Sequence, residues 1–499
     1  MEDRPGALHP LTAGGLVFFT AGAVLVLEIL AGRLLAPYVG VTLETYTGII
    51  GVVLAGIALG TWLGGRAADD FAPRRLLGPL LVWGGAMALV SVPLITWVGE
   101  MALGAGPDAI VLLSLVGFFA PAAVLSAVAP TVVKLQLADL RVTGSVVGQL
   151  SALGTAGAIV GTFLTGFVLI AAFPSRPLVV AVGAAIVGAG LLFWTRLGWR
   201  RDASAVSLAV AVALSGGLGT LLLPGSCQWE SAYYCVRIEA DPGRTNGRTL
   251  WLDQLRHSYV DLADPAYLEF DYARLFVDTL DTLAAPGEPL TVLHIGGGGF
   301  TLPRYLRAAR PGTQSTVLEL DPLLIELARR ELGLRPGPDI RIEAGDARLT
   351  LRGESSGRYD AVLGDAFGGL AVPWHLTTRE FVSEVRRVLR PGGIYTLNLI
   401  DYPPADFARA ELATLREAFE HVAFLSTPTL TGGWAGGTFV MIASDEPIDS
   451  QRLASVLAER NWRQEVVGEQ RAVDEFVAGA QVLRDDFAPV DQLISRPPF

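Results

Sequence analysis

Residues 290–300, Leu-Thr-Val-Leu-His-Ile-Gly-Gly-Gly-Gly-Phe, carry an apolar β-type run straight into four consecutive glycines, and a helix-compatible segment follows at 302–309. That order reads as a strand, a tight turn and a helix start. Glycine suits such a turn because it accepts positive φ and lets a nucleotide approach the backbone without meeting a Cβ. A purely structural bend would give the same letters, so the downstream residues decide. A second strand, 315–320, closes in Glu319-Leu320-Asp321-Pro322, where an acid is placed to accept hydrogen bonds from a ribose. A third, 339–343, precedes Gly345-Asp346-Ala347, and a fourth, 358–364, ends at Asp365. Every strand end carries a turn glycine or a carboxylate. In an open parallel sheet those ends are where ligands bind, so the pattern predicts a nucleoside site with Gly296 and Gly298 as close backbone contacts.

The chain has 499 residues, 51% of them hydrophobic, which calls for two or more domains. Through Gly225 there are 11 Lys+Arg and 10 Asp+Glu, leaving 27 and 39 beyond it. The second half is therefore acidic, with no basic run to act as a footprint for nucleic acid.

Seven apolar stretches fill the first half, at 14–35, 46–64, 76–98, 108–133, 146–172, 177–194 and 203–223. Each is about the 20 residues that a bilayer crossing needs. Small residues recur four apart, as in Gly56 and Gly60 or Gly157 and Gly161, a spacing that lets helices pack closely in lipid. Arg66, Arg74 and Arg75 follow the second stretch, Lys134 and Arg141 the fourth, and Arg196, Arg200 and Arg201 the sixth. By the positive-inside rule these loops and the N-terminus face the cytoplasm, and an odd number of spans puts the C-terminal domain outside. Cys227 and Cys235, the only cysteines, then fall where oxidation persists, so a short disulfide is expected beside the alternative of two buried thiols. Glu28 and Arg33 lie within the first stretch, where ionisable groups are costly; Arg33 is expected to reach toward the interface.

Beyond the membrane half, 231–251 alternates well enough to read as a β-hairpin. The succession LDQLRHSY, DPAYLEFDY, IGGGGF, LELDP, GDA, YDAVLGDAF, LTTREF and LRPGGIYTLNL resembles the spermidine synthase (polyamine aminopropyltransferase) family over nearly all of residues 230–445. The helical half looks like the multi-pass region of membrane-anchored members. The resemblance implies an N-terminal all-α bundle of about seven helices (1–225), a β-hairpin region (226–285) and a Rossmann-like methyltransferase or spermidine-synthase α/β domain (286–499). It implies decarboxylated S-adenosylmethionine, or S-adenosylmethionine, as co-substrate, with no metal. Glu319 then matches the ribose-binding acid, Asp346-Ala347 the pair beside the adenine, and Asp365 the general base. His257, Tyr267 and Glu269 fall in the region facing the amine. Departures concentrate there: Gly299 and Gly368 stand where the family carries aspartates, Leu268 replaces a His or Gln, and His257 replaces a Gln.

The sequence thus predicts a membrane-embedded aminopropyltransferase acting on a non-standard amine, with Glu319, Asp346 and Asp365 lining one open pocket. Two other readings stay open: a methyltransferase on the same sheet, and a non-catalytic extracytoplasmic domain that binds a nucleoside or polyamine or docks a partner. The expected partners are the lipid bilayer and a small amine, with a homodimer implied by the resemblance and no nucleic acid. The carboxylates of the tail segment Asp485-Asp486 have two readings, a rim to the pocket and, the favoured one, a solvated turn.

Overall fold

The computed structural model describes residues 8–101, 107–137, 143–196, 203–369, 371–433 and 435–495. Arg141, Arg200 and Arg201 lie outside the described residues. The chain divides into two compact units, Met1–Val236 and Arg237–Phe499.

Among the described residues of the first unit six helices are long and apolar enough to cross a membrane: Pro10–Val39, Leu43–Asp70, Pro73–Met101, Asp108–Gln136, Thr143–Ala172 and Ser175–Arg196. The expected seventh is the helix Ala203–Leu222, whose apolar described part, Ser207–Leu222, is shorter than the other six. The whole helix, 20 residues, rises about 30 Å at 1.5 Å per residue, the thickness of a hydrocarbon core. The small-residue spacings lie at close crossings. A Cβ on Gly157 would stand 2.0 Å from the Phe18 carbonyl oxygen, and one on Gly60 would stand 1.9 Å from that of Ala123. Without a hydrophobic drive between helices in lipid, such backbone-to-backbone approach is what dispersion needs.

Cys227 and Cys235 form a disulfide. The loop they close carries Glu230, which accepts from the Ser175 amide at 3.0 Å and lies 3.5 Å from the Arg33 guanidinium. Arg33 also donates to the carbonyls of Ser231 and Ala232. It is therefore held by the segment that follows the last helix.

The second unit starts with a meander. Strand Arg244–Leu252 pairs antiparallel with Leu255–Asp261, and Cys235–Asp241, which begins in the first unit, lies on its other side. The hairpin expected from the sequence thus has a third strand, and it contains His257. Next comes an eight-stranded sheet, in the order Glu465–Val467, His421–Ser426, Gly437–Ser444, Leu389–Asp401, Tyr359–Gly364, Thr291–Ile295, Gln314–Glu319, Ile340–Ala344. The last five run parallel and the first three join antiparallel. Alternation sends Val292 to a core with Phe276 and Leu280 of helix Asp271–Leu283, and Leu293 to a core with Phe381 and Phe407 from the helices on the opposite face. From Thr291–Ile295 the chain first builds outward to Ile340–Ala344, then returns to lay Tyr359–Gly364 on the other side. That reversal opens a crevice between the ends of Thr291–Ile295 and Tyr359–Gly364.

Replacing Gly157 by valine is expected to lower the thermal midpoint of the detergent-solubilised protein by the equivalent of about 1–3 kcal/mol, the usual cost of overpacking. Gly148→Ala, whose added methyl meets nothing within 4 Å, should leave the midpoint unchanged. Equal midpoints for both variants would contradict the close crossing.

Candidate active site

The glycine turn sits at that crevice. Gly296 has φ +95° and Gly298 φ +49°, values that favour a residue without a Cβ. A Cβ on Gly296 would stand 2.4 Å from the Asp365 carbonyl oxygen, so the turn and the neighbouring strand end touch through backbone alone. Phe300 closes the turn at φ 55° and ψ 33°, a region that costs an aromatic residue roughly 1–2 kcal/mol. Its ring is fully buried with Val317, Ile325 and Ala328, which offsets that cost.

Three hydrogen bonds fix the meander over the turn. The Gly299 amide donates to Ser258 Oγ at 2.9 Å, Thr301 Oγ1 to the Tyr259 carbonyl at 2.9 Å and Arg304 Nη2 to the Asp261 carbonyl at 2.9 Å. This register carries His257 and Ser258 to the wall of a cavity of about 220 Å³ that also includes Gly298, Tyr272, Asp365, Phe367 and Asn398.

Asp365 is part of that cavity's wall. Its Oδ2 accepts from the Tyr272 hydroxyl at 2.8 Å and its Oδ1 from Asn398 Nδ2 at 3.0 Å. Burial raises its pKa above the ordinary carboxylate value, while the two donors pull it back down. Tyr272 is pushed well above the usual phenol value, by burial first and then by Asp365, so it remains a donor at neutral pH. Burial lowers His257 to about 4, so its ring is neutral there. The arrangement is a carboxylate, oriented by two neutral donors, in a small pocket at a strand end. Such a group accepts a proton readily and has little water to compete for it.

The other expected residues lie apart from this wall. Glu319 is 5% exposed: its Oε2 accepts from the Gly297 and Gly298 amides at 2.8 and 3.0 Å, and its Oε1 from the Asp321 amide at 2.9 Å. Burial raises its pKa against the pull of those amides. It therefore holds the glycine turn from behind. Asp346 caps the short helix Ala347–Leu351 by accepting from the Leu349 amide at 3.1 Å, and its other oxygen lies 3.0 Å from His375 Nε2. Ala347 is buried as the first residue of that helix. The three acids thus share the carboxyl edge of the sheet, but the cavity wall includes Asp365 and neither Glu319 nor Asp346. The expectation of one pocket lined by all three is corrected accordingly, because the chain's own amides and His375 occupy the other two. Tyr267 donates to Glu269 Oε2 at 2.6 Å and lies beneath the Arg244 guanidinium; both residues are outside the cavity wall. Asp485 accepts from Arg348 and Thr378, so the tail closes on the helix Arg379–Val388 cap and not on Asp365.

Two partners of Asp365 carried no role in the sequence reading. Tyr272 lies in DPAYLEFDY five positions beyond the tyrosine taken as the match. Asn398 is a lone amide in the apolar strand Leu389–Asp401, 4% exposed. A buried amide within such a run is the signal that would have found it.

No family model matches the chain. Among curated proteins it is 33% identical over 152 residues to the polyamine aminopropyltransferase of Vibrio vulnificus, covering 30% of this chain and 49% of the relative. It is 30% identical over 145 residues to that of Chromobacterium violaceum, covering 28% and 53%. The chain therefore spans about half the length of these curated relatives. Among solved structures, a probable spermidine synthase from Corynebacterium glutamicum aligns at 28% identity over 52% of this chain and 97% of that one, with a TM-score of 0.48. In sequence the chain is similar to the polyamine aminopropyltransferases, as its motifs imply.

Proposed function

We propose that the second unit transfers an aminopropyl group from decarboxylated S-adenosylmethionine to an amine, and that the helices of the first unit hold it at a membrane. The observation that carries this reading is the Asp365 carboxylate, partly buried at the crevice and aimed by Tyr272 and Asn398. An amine at neutral pH is almost wholly ammonium and cannot attack. In the proposed step Asp365 takes one proton from the ammonium, and the freed nitrogen lone pair forms a bond to the carbon beside the sulfonium. The carbon–sulfur bond breaks, its electrons neutralise the sulfur, and methylthioadenosine leaves. The proton on Asp365 passes to water.

The remaining residues take supporting roles. Gly296 and Gly298 let the adenosyl group approach the backbone, and Glu319 fixes the turn that receives it. Asp346-Ala347 starts a helix at the edge assigned to the adenine. Relatives named for this activity support the reaction class. For orientation, we count Ala203–Leu222 as a seventh span beside the six longer helices, which places the N-terminus in the cytoplasm and the second unit outside. Arg66, Arg74, Arg75 and Lys134 at the connections and the Cys227–Cys235 disulfide support that assignment.

Purified full-length protein should transfer label from the aminopropyl group of the donor to an amine in a panel; transfer of a labelled methyl group from S-adenosylmethionine instead would replace this reading with a methyltransferase. Asp365→Asn is expected to reduce transfer by about 10²–10⁴-fold, the usual contribution of a positioned base. Transfer left intact in that variant would remove Asp365 from the mechanism. The rate should rise with pH through that raised pKa, and Tyr272→Phe or Asn398→Ala should move the rise to higher pH, since each removes a donor that favours the ionised form. A profile that stays in place, or moves to lower pH, contradicts the assignment.

A further inference from the structure

The wall around Asp365 restricts what kind of amine fits. Among the described lining residues Asp365 is the only carboxylate, and the one permanently charged neighbour on the wall is Arg256, a cation. Its guanidinium lies 5.1 Å over the Phe270 ring and 3.9 Å from Glu269, a loose pairing that leaves positive charge at the cavity. The rest of the lining is dominated by Leu255, Phe270, Phe367 and Ile400. Gly299 offers no room for a further polar group, because a Cβ there would stand 2.8 Å from Ser258 Cβ. His257 meets Phe367 edge-on at 6.5 Å and adds a neutral ring.

We infer that the acceptor is a short primary monoamine with an apolar tail, and not a diamine. This rests on the aminopropyl-transfer reading and names the substrate class for the same site. One ammonium is held by Asp365. A second, at the far end of a diamine, meets aromatic carbon and the Arg256 guanidinium, where it loses water and gains no anion. An alkyl tail instead takes Phe270, Phe367 and Ile400 out of water. The cavity volume of about 220 Å³ is below the roughly 300–1,000 Å³ of drug-sized sites, which suits a small acceptor.

Calorimetric titration of the full-length protein with butylamine and with 1,4-diaminobutane, each in the presence of methylthioadenosine at neutral pH, tests this without turnover. Butylamine is expected to bind about ten- to hundredfold more tightly, the range for one charged group left unpaired. Arg256→Gln should narrow the ratio by strengthening diamine binding. Equal or tighter binding of the diamine, no binding of either amine, or a ratio that Arg256→Gln does not move would overturn the inference. Transfer assays on the same samples separate the two levels. Preference for the diamine with transfer intact overturns the acceptor class alone, whereas the expected binding with no transfer to butylamine leaves the acceptor class standing and overturns the reaction.

Discussion

A carboxylate drawn partly out of water needs hydrogen-bond donors, and in the cavity of the second unit that requirement falls on Asp365. Its two donors come from distant parts of the chain: Tyr272 from the helix that precedes the sheet and Asn398 from the strand that adjoins its own. Satisfying one side chain therefore ties the helix, the long strand and the crevice into a single arrangement. The pair of donors also leaves the group ionisable. Charged donors would have pinned it as an anion of low basicity, and no donors would have kept it protonated. Two neutral ones hold it between those limits.

The same logic explains why the other acids do different work. Glu319 spends both oxygens on the amides of the glycine turn and of Asp321, which preserves a turn of residues at positive φ. Asp346 spends one oxygen on a helix start and meets His375 with the other. Carboxylates at neighbouring strand ends look alike in sequence, yet one shapes backbone, one caps a helix and one faces a cavity. Which is which depends on donors brought from elsewhere.

This marks how far the sequence could be read. The strand, glycine turn and helix at 290–309, and the acid-closed strands after it, were legible because periodicity and glycine placement are local properties. The long apolar stretches were legible for the same reason, though the last came out shorter than the six that precede it. The third meander strand was missed because its turn, at Asp253, lacks a glycine and its alternation is broken by Arg256 and His257. The Tyr272–Asp365 and Asn398–Asp365 bonds span 93 and 33 positions, and no local pattern encodes them.

In the first unit the constraint is steric. Glycines at the crossings allow backbone contact that any side chain would forbid, and the disulfide-closed loop gathers Arg33 and Ser175 around Glu230. For the second unit, the account stands on Asp365 as the group that meets the amine. A structure determined with methylthioadenosine and butylamine bound tests it most directly. The account predicts the amine nitrogen within hydrogen-bond distance of an Asp365 carboxylate oxygen, in the cavity between Tyr272 and Phe367, with the sulfur next to the glycine turn. An amine bound elsewhere, or an adenosyl group whose sulfur is remote from Asp365, would contradict it.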